Sequence, residues 1–149
     1  MNQQIYNILL ADDDDDDCSF FEEALDELSL ATTLVTVNDG VQLMDFFNDK
    51  FGENLPDVLF LDLNMPKKNG SECLTEIRQI ERLKDFPIII FSTSLDTKIV
   101  DITYDMGATF YIRKPGDSSK LKAVIENALI AASQNNFKQP ERAHFIIQP

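Results

Sequence analysis

Four apolar residues that run into an aspartate and a polar loop are the most informative stretch of this chain: Val58-Leu59-Phe60-Leu61-Asp62-Leu63-Asn64-Met65-Pro66-Lys67-Lys68-Asn69-Gly70. An uninterrupted apolar run of this length is typical of a strand buried on both faces of a parallel sheet. The Pro, Asn and Gly content of the following residues indicates a loop. Because Asp62 stands where a buried strand ends, the pattern favours a functional residue over a plain turn residue.

The same alternation continues on both sides of this stretch. Strands are predicted at residues 5–11, 32–37, 58–61, 88–91 and 109–112. Helices are predicted at about 18–28, preceded by the aspartates at 15–17, and at about 41–47, 72–80, 97–106 and 118–132, with Ser71 as a cap of the third helix. Five strand–helix units predict an α/β fold with a parallel sheet between two layers of helices. The expected fold is a flavodoxin-like, doubly wound, five-stranded sheet with strand order 2-1-3-4-5 and five helices.

Composition narrows the class of protein. The 149 residues fit one domain, and 44% hydrophobic with 26% charged residues argues against global disorder. A net charge of −13 disfavours direct binding of nucleic acid, whose phosphates would be repelled. No apolar run approaches the ~20 residues of a membrane span, and no secretory signal is visible. With two cysteines, Cys18 and Cys73, both interpreted as reduced packing residues, the expected location is cytoplasmic.

The C-terminal residues depart from this pattern. Residues 1–132 are predicted to form the domain, and residues 133–149 an irregular tail. The tail contains Phe137, Phe145, Ile146 and Ile147, which are too apolar for a free end. We expect it either to dock on this domain or to pair with a second copy in a homodimer.

Polar residues follow the predicted strands at the carboxyl edge of the sheet. Asp12 and Asp13 follow the first strand, Asp62 the third, Ser92 the fourth and Lys114 the fifth. The first and third strands lie side by side where the strand order reverses, so the three carboxylates should converge. Such a cluster needs a cation, and its hard oxygen ligands suit Mg²⁺. Asp62 would then be the nucleophile that forms an acyl phosphate, with Lys114 and the Ser92 hydroxyl on the phosphoryl oxygens.

These residues carry a resemblance to a known family. The chain resembles the receiver domain of bacterial two-component signalling, from residue 5 to about residue 132, in the following elements and order: Asp12-Asp13, Asp62, Met65-Pro66, Gly70, Ser92 and Lys114-Pro115. The spacings agree as well, with 30 positions from Asp62 to Ser92 and 22 from Ser92 to Lys114. The loop 64–70 is similar to that of receivers which act without an output domain, including those paired with phytochrome-type kinases.

The resemblance implies roles for individual residues. Asp13 and Asp62 would ligate Mg²⁺ directly, Asp12 would do so through water, and Asn64 would use its backbone carbonyl. Lys114 would contact the phosphoryl group, and its peptide bond to the following proline would be cis.

The resemblance also implies a switch and partners. Ser92 would shift toward the phosphate and Tyr111 would turn inward, which remodels the face built from the fourth helix, fifth strand and fifth helix. A sensor histidine kinase would donate the phosphoryl group. Output would be a phosphorylation-dependent protein contact or onward transfer to a histidine phosphotransfer protein. The chain would not be an enzyme, beyond its own phosphorylation and dephosphorylation.

Two other functions stay open at this stage. Asp12-Asp13-Asp14 meets half of the motif of phosphatases with an aspartyl nucleophile, although Asp15 and Asp16 follow where that motif wants Thr or Val. A receiver that binds its partner without phosphate is the other alternative. A calcium loop is disfavoured, because Asp17 stands where an EF-hand needs glycine.

Overall fold

The computed structural model describes residues 5–49 and 54–149, and within them a parallel six-stranded sheet carries five helices. The elements in chain order are β1 (Ile5–Ala11), α1 (Asp15–Asp26), β2 (Ala31–Val37), α2 (Gly40–Asp49), β3 (Val58–Leu61), α3 (Gly70–Gln79), β4 (Ile88–Ser92), α4 (Thr97–Asp105), β5 (Phe110–Arg113), α5 (Ser118–Gln134) and β6 (Ile146–Ile147). The strand order is β2-β1-β3-β4-β5-β6. The flavodoxin-like doubly wound fold is therefore confirmed, with one short strand more than predicted. No helix in the described ranges is both long and apolar enough to cross a bilayer.

Two hydrophobic cores lie on opposite faces of the sheet. In β3, Leu59 and Leu61 belong to the core shared with α2 and α3, whereas Val58 and Phe60 belong to the core shared with α1 and α5. Successive side chains of a strand point to opposite faces, so a strand covered on both sides is apolar at every position. This is why residues 58–61 form an unbroken apolar run.

The expectation of an irregular tail was wrong for residues 142–147. A 3-10 turn at Arg142–His144 leads into β6, which pairs in parallel with β5 in the register Tyr111↔Ile146 and Ile112↔Ile147. Phe145 is fully buried, and its ring lies 5.0 Å from that of Tyr104 between centroids. Of the two expected docking modes, the structure shows the tail on its own chain. A two-residue strand leaves no periodicity to detect, so the sequence could not predict it.

The start of α3 differs from the predicted cap at Ser71. Asn69 is the N-cap: its Oδ1 accepts a hydrogen bond from the Glu72 backbone N–H at 2.8 Å, and Glu72 Oε1 accepts one from the Asn69 N–H at 3.2 Å. This reciprocal pair satisfies two N–H groups that the first turn leaves without helical partners. Ser71 therefore lies inside the first turn of α3.

Replacing Asn69 by alanine should lower the free energy of unfolding by about 1 kcal/mol, because both the cap and its reciprocal bond are weakened. Urea denaturation monitored by circular dichroism would measure the change. Asn69→Ser, which keeps a capping oxygen, is the matched control and should lose much less. Equal stabilities of the Ala and Ser variants would show that the cap contributes nothing.

Candidate functional site

The carboxyl edge of the sheet brings three acidic residues together. Carboxylate oxygens of Asp12, Asp13 and Asp62 all lie within 4.8 Å of one another. Asp12 and Asp62 are buried, at 0% and 4% exposure, and Asp13 is exposed. The main chain sets this arrangement, because the Asp62 N–H donates to the Ala11 carbonyl at 2.9 Å and so continues the pairing of β1 with β3 beyond the strand ends.

Lys114 is the cation of this cluster. Its Nζ lies 2.8 Å from Asp12 Oδ2, 2.9 Å from Asp17 Oδ2 and 3.5 Å from Asp62 Oδ2. The ring of Phe91 lies beneath the ammonium, 5.4 Å from Nζ to the ring centroid. Only 10% of the Lys114 side chain is exposed, so these charges interact with little screening by water.

Asp17 was not predicted as a site residue, because an aspartate within an acidic run such as 12–17 is ordinarily solvated. Asp14 caps α1 by accepting a hydrogen bond from the Asp17 N–H at 3.0 Å, which places Asp17 in the first helical turn. An Asp three positions after a capping Asp, at a helix that starts beside the site, is the signal that could have indicated it. The exposed Asp13, Asp15 and Asp16 give the same run its solvated character.

Burial and charge shift the protonation of this cluster. Burial raises the pKa of Asp62 to about 6, with the Asp12 carboxylate adding to the effect and Lys114 opposing it. Burial likewise raises the pKa of Asp12 against the stabilising contact with Lys114. For Lys114, burial favours the neutral amine, but the close contacts with the Asp12 and Asp17 carboxylates outweigh it, and the pKa is raised overall. The ammonium therefore stays charged, whereas burial disfavours the ionised forms of Asp12 and Asp62 and raises their pKa values.

The cluster fits a divalent cation. Asp12 Oδ2 is buried and has no hydrogen-bond partner in the described chain, since its 2.8 Å approach to Lys114 is an ion pair without hydrogen-bond geometry. An unsatisfied buried carboxylate oxygen beside two further carboxylates is a ready ligand for a hard cation. Asn64 is exposed, and its N–H donates to Asp62 Oδ1 at 3.2 Å. The metal-ligand role of its carbonyl stays a prediction.

The loop after β3 is held tightly against α3. Gly70 N–H donates to the Leu63 carbonyl at 3.0 Å, and a Cβ at Gly70 would lie 2.3 Å from the Asp62 carbonyl oxygen. A side chain at this position would push the loop away from the strand end. The glycine thus sets the position of the Asp62 main chain.

Ser92 and Tyr111 lie on the β4–β5 side of the site. The Ser92 side chain is buried at the end of β4 and its Oγ accepts a hydrogen bond from the Ser94 N–H at 3.2 Å. Tyr111 is fully buried, and its hydroxyl donates to the Ser94 carbonyl at 2.6 Å. The tyrosine is therefore already turned inward. The expectation of a cis bond between Lys114 and Pro115 was wrong, because no described peptide bond is cis. For a bond to proline, trans is the lower-energy isomer by about 0.5–1 kcal/mol.

The chain is a doubly wound α/β protein whose carboxylate cluster and buried lysine lie at the switch point, where open sheets of this kind bind their ligands. Residues 8–126 match the family model of the response regulator receiver domain, and the chain belongs to this family. The receiver resemblance of the sequence is thereby confirmed.

Relatives and solved structures agree with this assignment. The chain is 31% identical over 123 residues to the response regulator Rcp1 of Synechocystis, covering 80% of this chain and 83% of that protein. The crystal structure of the phosphorylated cyanobacterial phytochrome response regulator RcpA is similar with a TM-score of 0.78 and 29% identity, covering 93% of this chain and all of that one. The Mn²⁺-bound form of Rcp1 is similar with a TM-score of 0.73 and 29% identity, covering 81% and 89%. A divalent cation in the carboxylate cluster is consistent with that neighbour.

Proposed function

We propose that this receiver takes a phosphoryl group onto Asp62 from a sensor histidine kinase, with Mg²⁺ in the carboxylate cluster. One observation carries the proposal: a buried carboxylate with a raised pKa lies between two further carboxylates and a buried ammonium. The two alternative functions, an aspartyl phosphatase and a phosphate-independent binding module, are not needed to explain that arrangement. The family match favours the receiver over both alternatives.

The chemistry follows from the side chains present. An Asp62 carboxylate oxygen attacks phosphorus, the bond from phosphorus to the leaving group breaks, and the leaving group departs with the electron pair. Lys114 Nζ, now 3.5 Å from Asp62 Oδ2, is placed to neutralise charge on the transferred group. The buried Ser92 hydroxyl would donate to a phosphoryl oxygen. Asp12, Asp13 and Asp62 would hold Mg²⁺, which would supply charge neutralisation to the reacting group when bound.

Reorientation of Ser92 would be transmitted by the β4–α4 loop. The side chains of Ser92 and Tyr111 are both hydrogen-bonded to the backbone of Ser94. Ser92 Oγ accepts from the Ser94 N–H, and the Tyr111 hydroxyl donates to the Ser94 carbonyl. When the Ser92 hydroxyl turns to the phosphoryl group, it releases the Ser94 N–H, and the loop that begins α4 can move. The adjoining surface exposes Leu95, Ile99 and Ile102, so we propose protein contact at α4, or onward transfer to a histidine phosphotransfer protein, as the output.

Further properties are part of the same proposal. The protein would turn over no external substrate, because the proposed reaction takes place on its own carboxylate. A cytoplasmic location is supported by the unpaired Cys18 and Cys73. The charge of −13 argues against nucleic acid as the direct target. Phe145, one of the apolar tail residues that suggested a homodimer, is buried in its own chain, so a dimer would use another face. Sedimentation with and without a phosphoryl mimic measures the oligomeric state.

Incubation with acetyl phosphate and Mg²⁺ tests the proposal. Intact-mass spectrometry should show the gain of one phosphoryl group, which is lost with Asp62→Asn or with a chelator. Asp45→Asn, which removes an exposed carboxylate on α2, is the matched control and should label like the wild type. A gain that survives Asp62→Asn, or no gain in the wild type, contradicts the proposal, and multiple turnover of phosphate esters would favour the phosphatase.

A further inference from the structure

Asp17 makes the best-formed contact of the site lysine. Its Oδ2 accepts a hydrogen bond from Lys114 Nζ at 2.9 Å, whereas the contacts of Lys114 with Asp12 and Asp62 are ion pairs without that geometry. Asp17 is not among the carboxylates that converge for a metal, which are Asp12, Asp13 and Asp62. Within the described part of the chain, its side chain is hydrogen-bonded to the site through Lys114.

The three N–H donors of the Lys114 ammonium are shared among three carboxylates. An ammonium has three donors and no acceptor, and Lys114 faces three carboxylate oxygens at 2.8, 2.9 and 3.5 Å. The longest contact is the one with Asp62, where the phosphoryl group would be attached. A donor anchored on Asp17 directs another toward that position, because the directions of the N–H bonds are fixed relative to one another.

The two anchoring carboxylates differ in how free they are. Asp12 is buried and belongs to the carboxylate cluster with Asp13 and Asp62, so its carboxylate would also interact with a bound cation. Asp17 projects from the first turn of α1 with 36% of its side chain exposed, and α1 is packed against the core through Phe21. Its position is thus set by the helix and does not depend on what occupies the cluster.

We propose that Asp17 is a positioning residue, which holds the Lys114 ammonium over Asp62 so that it meets a phosphoryl group there. The inference rests on the proposed phosphorylation of Asp62. It assigns to the acidic run after β1 two separate tasks: Asp12 and Asp13 serve the cation, and Asp17 serves the lysine.

Binding of beryllofluoride, a phosphoryl mimic, in the presence of Mg²⁺ tests this role in the full-length chain by isothermal titration calorimetry. Asp17→Asn should weaken beryllofluoride binding about 3- to 10-fold, as expected when a partly exposed hydrogen bond between charged groups is replaced by a weaker one to a neutral amide. Its Mg²⁺ affinity, measured without the mimic, should stay within about twofold of that of Asp16→Asn. The Asp16 variant removes the same charge from the same helical turn, at an exposed residue.

Two further variants separate positioning from a general effect on the fold. Asp17→Glu restores a carboxylate and should recover part of the mimic affinity. In a Lys114→Gln background, Asp17→Asn should cause no further loss, because its effect passes through the lysine. If Lys114→Gln does not fold, the Glu and Asn variants decide the question by themselves.

The outcomes distinguish this inference from the proposed function. A wild-type protein that binds no beryllofluoride and takes no phosphoryl group overturns the phosphorylation of Asp62 itself. A wild type that does both, with Asp17→Asn indistinguishable from Asp16→Asn, overturns only the positioning role. A loss in Mg²⁺ affinity equal to the loss in mimic affinity would also overturn it, since Asp17 would then act on the cluster as a whole.

Discussion

Replacing Asp62 by asparagine should raise the stability of the metal-free protein by about 3 kcal/mol at pH 7.5, although it removes the phosphoryl acceptor. Burial is the main cause: the pKa of this carboxyl rises from 3.8 to about 6, so the folded state holds the ionised form against its preference. Asparagine has nearly the same shape, carries no charge, and can still accept the hydrogen bond from the Asn64 N–H. Active sites commonly give up stability in this way.

The pH dependence has a definite sign. A carboxyl whose folded pKa is raised contributes stability that is complete below its unfolded pKa, near 3.8, and is lost as pH rises through about 6. The advantage of Asp62→Asn should therefore be largest above pH 7 and fall to about half by pH 5. Urea denaturation of both proteins in a chelator, at pH 5 and pH 7.5, measures the two differences.

Mg²⁺ should reduce this difference in stability, and at about 100 times its dissociation constant should offset most of it. A cation that binds the folded wild type stabilises it in proportion to the logarithm of its concentration, and Asp62→Asn removes one of its carboxylates. The exposed Asp45→Asn serves again as the control, with little change at either pH. A metal-free Asp62→Asn protein no more stable than the wild type at pH 7.5 would contradict the assignment of a strained, ionised Asp62.

Replacing Phe145 by alanine should cost about 3–5 kcal/mol of unfolding free energy, the usual range for a fully buried phenylalanine. The ring is 0% exposed and contacts the rings of Tyr104 and Tyr111, while its carbonyl accepts the Tyr111 N–H at 3.0 Å. Because β6 pairs with β5 over only two residues, the variant can avoid a cavity by releasing the tail. The cost would then equal the free energy with which the tail docks.

Two measurements distinguish these responses. Urea denaturation gives the total loss, and hydrogen exchange of residues 139–149 shows whether the tail has been released. Phe20→Ala makes the same chemical change at a side chain that is 48% exposed, and should lose about 1 kcal/mol or less. A similar small loss in Phe145→Ala would contradict the packing of the tail into the core.

Much of the fold could be predicted because strong local patterns carried it. The bounds of β1 and β3 were predicted to the residue, since runs such as 58–61 are apolar throughout and end in charge or turn residues. The cap of α3 was misplaced by two positions, because Asn69 and Ser71 are both good capping residues and only the contact with Glu72 chooses between them. Short elements without a period, such as β6, lay beyond this kind of reasoning.

The candidate site also contains some residues that the sequence could predict and one that it could not. Asp12, Asp13, Asp62 and Lys114 could be named from the sequence, because residues that follow parallel strands meet at one edge of the sheet. Asp17 could not, since an aspartate in an acidic run is ordinarily solvated and nothing local connects it to a lysine 97 positions away. The contact exists because α1 and the end of β5 meet only after the sheet has formed.

Apolar periodicity and the polar residues at strand ends were sufficient to predict a doubly wound sheet with an acidic cluster at its switch point. The receiver family was predicted from the resemblance of its spaced motifs. Tertiary structure alone decided where the tail docks, which carboxylate holds Lys114 and which way Tyr111 points. The physical reason is the distance along the sequence between the residues in contact. Secondary structure and strand order could be predicted from local patterns, whereas these contacts join distant segments and depend on packing and burial that no local pattern encodes.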